Sequence, residues 1–240
     1  MKILGIDTSA VSCGVAVLND GKIISECYVN TGLTHSQTLL TLIDSCLKNC
    51  NLEINDIDNL AVSVGPGSFT GIRIGVSAVK GLCFSRNIPC FAVSTLEALA
   101  GSVFSDDVVI CPVMDARCMQ VYTAQFEINN NELVRLTDDA PLTLAELYEK
   151  LKKYNRRIIL VGDGSDIAYK YLSDKGLDIR VFSEIYKYQH GSGVAITAYR
   201  NYNRGISPVD AETLQPNYLR LSQAERELKN RSEKNDSIKQ

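Results

Sequence analysis

The sequence predicts an α/β protein made of two similar lobes, and two observations support this fold class. A series of elements occurs twice, offset by roughly a hundred residues: an apolar strand ending in aspartate, a hairpin, a helix, a strand ending in a glycine-rich turn and a second helix. In addition, 45% of the 240 residues are hydrophobic and 22% are charged, a balance that is typical of globular chains. A chain of this length can bury one large core or two smaller ones.

The first half of the chain carries the first series. Apolar residues recur at helical spacing after His35, and the Asn19-Asp20-Gly21 turn between two apolar runs is a strong hairpin signal. Ser94 or Thr95, followed by Glu97, forms a capping-box pattern at a later helix start. In order, we predict strands over 2–6, 13–18 and 22–29, a helix over 35–50, a strand over 58–64, a helix over 68–86, a strand over 89–93 and a helix from 94 or 95.

The second half repeats the series. Asp115 ends its first strand as Asp7 ends the first strand of the chain, and Gly162-Asp163-Gly164 corresponds to Gly65-Pro66-Gly67. The asparagines at 129–131 predict a hairpin turn between two strands. In order, we predict strands over 108–114, 118–128 and 132–136, a helix over 144–154, a strand over 158–161 and a helix that begins near 165.

The repeat also suggests domain boundaries. We assign residues 1–103 to an N-terminal lobe that carries the partner or dimer interface, and residues 104–223 to a C-terminal lobe. Residues 224–240 are mostly charged or polar, which predicts a disordered tail. A duplicated two-lobe fold with mixed sheets flanked by helices, and ligands bound at strand ends between the lobes, is the layout of the actin-like and Hsp70-like (ASKHA) superfamily. One fold supports many activities, so function has to be inferred from sites.

Composition and charge argue against several classes of function. The net charge is −3, whereas proteins that bind tRNA on their own usually carry a basic surplus that contacts the phosphates. No apolar run reaches membrane-spanning length and no signal peptide is recognised, so we expect a cytoplasmic protein without a membrane partner. The 8 cysteines form no C-x-x-C pair and lie mostly within apolar patterns, so we expect free thiols.

The two acidic strand ends supply candidate nucleotide-binding residues. A carboxylate followed by hydroxyls and backbone amides can hold a metal–phosphate group, and a Mg-nucleotide cleft needs carboxylates that face each other. Taken alone, an Asp-Thr-Ser strand end is more commonly an Asx-type turn, so both interpretations remain open. The candidates are Asp7, Thr8, Ser9 and Asp115.

No other catalytic or metal-binding arrangement stands out. The only histidines, His35 and His190, are far apart in the sequence, and neither belongs to a Ser-His-Asp or zinc-ligand pattern. We therefore predict no catalytic residues and no metal ligands.

The glycine-rich string from Gly65 to Gly71 precedes a helix that is apolar nearly all round. It lacks the Gly-Lys-Ser/Thr ending of a P-loop, although a glycine-rich turn at a helix start can also bind anions. A helix that is apolar on all sides must be covered on two faces, by its own sheet and by a neighbouring helix or a second subunit. The residues we predict at this interface are His35, Leu39, Leu42, Ile43, Phe69, Ile72, Gly75, Val76 and Val79.

Five segments closely resemble the TsaB family, also called YeaZ. They span nearly the whole chain in the family's order, and the long glycine-rich string is the most specific of them. The segments are Ile3-Leu4-Gly5-Ile6-Asp7-Thr8-Ser9, Thr34-His35-Ser36, the string from Val64 to Gly75, Met114-Asp115-Ala116-Arg117 and Pro216-Asn217-Tyr218-Leu219-Arg220.

The resemblance implies a role in tRNA modification. TsaB-like proteins are degenerate relatives of TsaD, the transferase that makes N6-threonylcarbamoyladenosine (t6A) at adenosine 37 of ANN-decoding tRNAs. They act as scaffold subunits that bind and activate TsaD through N-lobe helices, are joined by the ATPase TsaE, and form homodimers when alone. The implied contact with tRNA is indirect. No cofactor is intrinsic to the chain, although ATP or ADP can lie at the junction with the partner.

The sequence also departs from TsaD in a way that favours the accessory role. TsaD-like proteins carry an H-x-x-x-H metal pair, and Thr95 and Leu99 stand at the matching positions here. Neither side chain is a useful metal ligand. The alternative is an autonomous small-molecule kinase of the actin-like superfamily that uses Asp7 and Asp115. A peptidase has no supporting nucleophile pattern.

Overall fold

The first of two mixed β-sheets has the strand order β3-β2-β1-β4-β5. The structure is a computed structural model, and it describes residues 1–84 and 86–220. In this sheet β1 is antiparallel to β2 and parallel to β4, and β4 is parallel to β5. The strands are β1 (Lys2–Asp7), β2 (Cys13–Asn19), β3 (Lys22–Val29), β4 (Asn59–Gly65) and β5 (Cys90–Ser94). The predicted hairpin at Asn19-Asp20-Gly21 is confirmed, with Asp20 and Gly21 at positive φ.

Helices cover both faces of this sheet. Alternate residues of a strand point to opposite faces: Leu4 belongs to the core beneath α1 and α2, and Ile3 to the core beneath α6. The helices of the chain are α1 (His35–Lys48), α2 (Phe69–Phe84), α3 (Thr95–Ala100), α4 (Leu144–Leu151), α5 (Ser165–Leu172) and α6 (Gly191–Asn203). Ser94 caps α3 by accepting a hydrogen bond from the Glu97 amide at 3.3 Å, as the capping pattern predicts.

The second sheet has the order β10-β7-β6-β11-β12, with β8 pairing to β6 and β9. α4 and α5 pack against one face, through a cluster that includes Leu147 and Leu172, and α3 packs against the other through Leu96 and Leu99. The strands are β6 (Val109–Asp115), β7 (Gln120–Thr123), β8 (Phe126–Asn129), β9 (Glu132–Arg135), β10 (Ala140–Thr143), β11 (Ile158–Val161) and β12 (Ile179–Val181).

The prediction of one strand over 118–128 is wrong. The chain changes partners there, because β7 pairs with β10 and the end of β6, whereas β8 pairs with β9 and touches β6 at Ile110. β10, β12 and α6 were not predicted. The buried face of α6 consists largely of small residues such as Gly191, Gly193 and Ala195 rather than leucine or isoleucine, so it lacks the usual helical periodicity.

The small residues of α6 let this helix pack very close to β1. A Cβ atom added to Gly5 of β1 would lie 2.5 Å from the Gly191 oxygen, so the helix and the strand touch backbone to backbone. Since α6 and Leu214 pack on the first sheet, part of the later sequence belongs to the first core. The boundaries at 1–103 and 104–223 stay predictions, and the predicted tail, 224–240, lies outside the described residues. Over the described ranges, no helix has the length and apolarity that a membrane crossing requires.

Candidate functional site

Asp7 lies at the carboxyl end of β1 and is completely enclosed, with 1% of its surface exposed. One carboxylate oxygen accepts hydrogen bonds from the Ser9 amide at 2.8 Å and the Ser9 hydroxyl at 2.7 Å. The other accepts from the Ser63 hydroxyl on β4. Burial raises the pKa of Asp7 above its ordinary value, although the hydrogen bonds from Ser63 and Ser9 oppose this rise. This is the Asx-type turn that the sequence offered as one of two interpretations.

The glycine-rich string closes over this turn. The Ser68 amide donates to the Ser9 carbonyl at 2.7 Å, and the Thr8 hydroxyl donates to the Gly71 carbonyl at 2.7 Å. A Cβ atom on Gly71 would lie 2.0 Å from the Thr8 carbonyl oxygen. Thr8 and Ser9 are both fully buried, so a phosphate group could reach them only if the string moved away.

The segment from Pro216 to Arg220 forms a third layer. The Asn217 amide donates to the Val64 carbonyl at 2.7 Å. The rings of Phe69 and Tyr218 stack at 4.3 Å, and Arg73 Nε donates to the Tyr218 hydroxyl at 2.7 Å. Three of the five family-like segments thus meet in one assembly, which we call the sealed strand end: residues 7–9, 63–73 and 216–218. Ser63 was missed by sequence reasoning because its role depends on strand pairing.

The second acidic strand end is open. Asp115 is exposed, and its carboxylate accepts the Arg117 amide at 2.7 Å. Beside it, Asp163 accepts from Gln189 Nε2 at 2.9 Å. Burial raises the pKa of Asp163, and the nearby charge of Asp115 adds to this effect. Asp7 and Asp115 therefore each bind groups of their own strand end, and the sequence missed Asp163 and Gln189 as members of the second one.

Contacts between residues that are distant in the sequence connect the strand end at Asp7 with the strand end at Asp115. Ser12 donates to the Gln189 carbonyl at 2.9 Å. His190, stacked on Tyr28 with ring centroids 4.4 Å apart, forms an ion pair with Glu26 at 3.3 Å. Glu26 also accepts from the amide of Ser192, at the start of α6, at 3.0 Å. The edge strand β3 is thereby tied to α6.

Most of the predicted interface residues lie inside the chain's own core. Gly75 faces β1, where an added Cβ atom would be 2.5 Å from Thr8 Oγ1. The buried ones are Leu39, Ile43, Ile72, Gly75, Val76 and Val79. In this structure they expose little surface to a partner. The interface and its residues stay a prediction.

The remaining three predicted interface residues are partly exposed. His35 Nε2 bonds to the Ala10 carbonyl at 2.8 Å, Phe69 stacks on Tyr218, and Leu42 packs at the margin of the core.

Other apolar residues of α2 also reach the surface. Ile74, Ala78 and Leu82 are partly exposed, and Gly81 is exposed. Residues spaced by three or four share a helix face. We call Ile74, Ala78, Gly81 and Leu82 the outward face of α2, and they lie beside the exposed residues Arg73, Ser77 and Phe84.

The positions that match the TsaD histidine pair lie in the interior. Thr95 and Leu99 on α3 are 0% and 3% exposed. Within the described part of the chain, no group of three or more histidine, cysteine, aspartate or glutamate side chains is arranged to hold a metal ion.

Comparison with known proteins places the fold in a class. The chain superposes on component A of (R)-2-hydroxyglutaryl-CoA dehydratase from Acidaminococcus fermentans with a TM-score of 0.52 at 13% identity, covering 85% of this chain and 99% of that one. This likeness concerns the fold alone. With its two mixed sheets and flanking helices, the protein has an actin-like, ASKHA-type α/β fold.

Closer relatives define the family. The family model for TsaD, the tRNA N6-adenosine threonylcarbamoyltransferase, matches residues 30–228. The chain is 34% identical to the tRNA threonylcarbamoyladenosine biosynthesis protein TsaB of Bacillus subtilis, covering 94% of this chain and 96% of that protein. A Pseudomonas aeruginosa structure, described as similar to peptidase YEAZ, superposes with a TM-score of 0.78 at 26% identity, covering 91% and 99%. The chain belongs to the TsaB (YeaZ) family.

Proposed function

We propose that this protein takes part in the biosynthesis of threonylcarbamoyladenosine in tRNA, as an accessory subunit that binds and activates a TsaD-type transferase. The observation that carries the accessory role is the sealed strand end. The carboxylate, hydroxyls and glycine-rich turn that could hold a nucleotide phosphate bind each other instead. Membership of the TsaB family supports the pathway.

Two buried residues of α3 also support an accessory role for this chain and a catalytic role for its partner. In TsaD-like proteins this helix carries two metal-binding histidines, and here Thr95 and Leu99 fill those positions with buried side chains. Threonine is a poor ligand and leucine offers no donor atom. The transfer reaction, at adenosine 37 of ANN-decoding tRNAs, therefore belongs to the partner.

The surface proposed for the partner is the outward face of α2 together with the adjoining side of α1. Ile74, Ala78 and Leu82 of α2 and Leu42 of α1 present apolar groups there, and Gly81 allows close approach because nothing lies within 4 Å of its missing side chain. The same face serves for a homodimer when the chain is alone. A TsaE-type ATPase, ATP or ADP at the junction, indirect contact with tRNA and a cytoplasmic location complete the proposal.

An autonomous kinase is the alternative, and the open strand end is the observation that favours it. Asp115 is exposed and Asp163 lies beside it with a raised pKa. A kinase would bind ATP and turn it over without any partner protein. The accessory role predicts that the isolated chain does neither.

A charged residue on the outward face of α2 tests the proposed surface. Ala78→Glu is expected to weaken the complex with the TsaD-type partner by about tenfold or more, because an unpaired carboxylate is desolvated in the interface. Sedimentation measures the pairing, and reconstituted modification of tRNA should fall with it. Ala145→Glu, at an exposed position on α4, is the matched control. Undiminished pairing of the Ala78→Glu protein would refute this surface.

A further inference from the structure

Three cysteines cluster between the edge strand β3 and the end of α1. Cys27 lies on β3 directly opposite Val15 of β2. The Cys46 thiol of α1 donates to the Val15 carbonyl at 3.4 Å and to the Ser25 hydroxyl at 3.3 Å. Ser25 and Cys27, two residues apart, share one face of β3. Cys46 therefore lies over the part of the sheet that Cys27 occupies.

A second contact fixes the direction of the Cys27 side chain. Asn49 Nδ2, one turn beyond Cys46, donates to Cys27 Sγ at 3.8 Å. The Cys27 sulfur therefore faces the last turn of α1, within interaction range of the Cys46 thiol. Cys50 follows at the end of the same helix and packs against the same core.

The two thiols differ in access to solvent. Cys46 is 0% exposed, whereas Cys27 is only partly buried at the sheet edge. Burial raises the pKa of Cys46 to about 11, so this thiol keeps its proton at neutral pH. A small oxidant in solution can reach Cys27, whereas Cys46 can react only with a neighbouring group.

We propose that Cys27 and Cys46 form a reversible disulfide when the protein meets a peroxide, which joins α1 to β3. In the first step the Cys27 thiol reduces the peroxide, becoming a sulfenic acid and releasing one water molecule or alcohol. In the second step the Cys46 sulfur displaces the hydroxyl group, which leaves with the Cys46 proton as water, and the S–S bond forms. A dithiol reductant returns both thiols by exchange and is itself oxidised to a disulfide.

Other cysteines of the chain provide internal comparisons. Cys83 and Cys90 also interact with each other, yet they are 1% and 0% exposed. A peroxide should therefore oxidise them much more slowly than Cys27. Cys118 is exposed on the second lobe and would be oxidised without joining α1 to β3. Replacing it by serine removes that competing reaction.

The experiment uses the full chain with Cys118→Ser, treated with hydrogen peroxide, alkylated and digested with trypsin. No lysine or arginine lies between residues 23 and 47, so the peptide 23–48 holds both cysteines and Cys50 falls in the peptide 49–73. The expected product is an unalkylated peptide 23–48 that has lost two hydrogen atoms and regains both alkylation sites after dithiothreitol. We expect the oxidised protein to melt about 5 °C higher. The bond closes a loop in the unfolded chain and so lowers the conformational entropy of the unfolded state.

Variants separate the possible products. Cys27→Ser should abolish the oxidised peptide, and Cys50→Ser should leave it unchanged. Three outcomes would overturn the proposal: a peptide 23–48 that stays fully alkylated, a cross-link between peptides 23–48 and 49–73, or a Cys83–Cys90 bond that forms at the same peroxide concentration.

Discussion

The strand end at Asp7 and the strand end at Asp115 occupy the same place in the repeated series, but their surroundings differ. Asp7 is enclosed by the glycine-rich string and by residues 216–218, and hydrogen bonds from Ser9 and Ser63 satisfy its carboxylate. Asp115 is exposed and accepts one backbone hydrogen bond, from Arg117. A duplicated pattern thus carries two different physical environments.

The difference arises from the glycine-rich string and from a segment outside the repeat. The string closes over residues 7–9, and residues 216–218 pack on the string. The side chains that the sequence offered as nucleotide ligands, Asp7, Thr8 and Ser9, bind each other or the glycine-rich string in this structure. Equivalent positions of one fold can therefore have different surroundings.

The largest expected effect comes from forcing the sealed strand end open. Gly71→Ala places a Cβ atom 2.0 Å from the Thr8 carbonyl oxygen, so the backbone must shift. We expect a loss of about 3 kcal/mol in the free energy of unfolding, measured by urea denaturation.

Gly81→Ala is the matched control on the same helix. Nothing lies within 4 Å of the added methyl group, so better helix propensity should stabilise the protein by about 0.5–1 kcal/mol. Equal effects of the two substitutions would show that the string does not close on residues 7–9.

A smaller effect, the pH dependence of stability, distinguishes Asp7 from Asp115. The raised pKa of Asp7 means that the folded state binds this proton more tightly than the unfolded state. Its contribution to stability therefore declines as pH rises from the ordinary value of 3.8 through the raised one. Asp7→Asn cannot titrate, so its stability relative to the wild type should improve across that window. Denaturation measured at several pH values gives this difference.

Asp115→Asn serves as the exposed counterpart. At neutral pH we expect it to change the free energy of unfolding by less than about 0.5 kcal/mol, as for most surface substitutions. If Asp7→Asn tracks the wild type at every pH, burial of Asp7 has no effect on its proton affinity and the comparison of the two strand ends fails.

The smallest effect concerns the tie between β3 and α6. Burial alone would raise the pKa of Glu26, but hydrogen bonds from His190 and Ser192 hold it below its ordinary 4.5. Burial alone would lower the pKa of His190, yet Glu26 raises it above its ordinary 6.5. The Glu26 contribution is lost as pH falls below its ordinary pKa, and the His190 contribution as pH rises through the raised value.

The ion pair should therefore stabilise the fold most between about pH 4.5 and 6.5. Because both side chains are partly exposed, we expect under about 1 kcal/mol. Melting of Glu26→Gln against the wild type should show a difference that peaks in this range. A difference that grows steadily toward alkaline pH would contradict the pairing.

The elements with clear local signals were predicted from sequence. The Asn19-Asp20-Gly21 turn fixed the first hairpin, and regular apolar spacing located α1 and α2 within a few residues. α6 was not predicted because its buried residues are small. The split between β7 and β8 was not predicted because a change of strand partner has no local sequence signal.

The site was predicted only in part. The sequence offered Asp7 as a metal–phosphate ligand or as an Asx-type turn. The structure shows the turn, with contacts from Ser63 and residues 65–71, and the ligand role stays a prediction. The apolar residues of α2 suggested an interface, but which of them face outward depends on the sheet and on α1. Periodicity alone could not separate Val79, at 0% exposure, from Ala78.

The most direct test of the accessory role is a reconstituted tRNA threonylcarbamoylation assay with this chain alone, with the TsaD-type partner set alone, and with both. We predict modification only when both are present, and no ATP hydrolysis by this chain on its own. ATP turnover or group transfer by the isolated chain, abolished by Asp115→Ala, would contradict the account and move the activity to the open strand end.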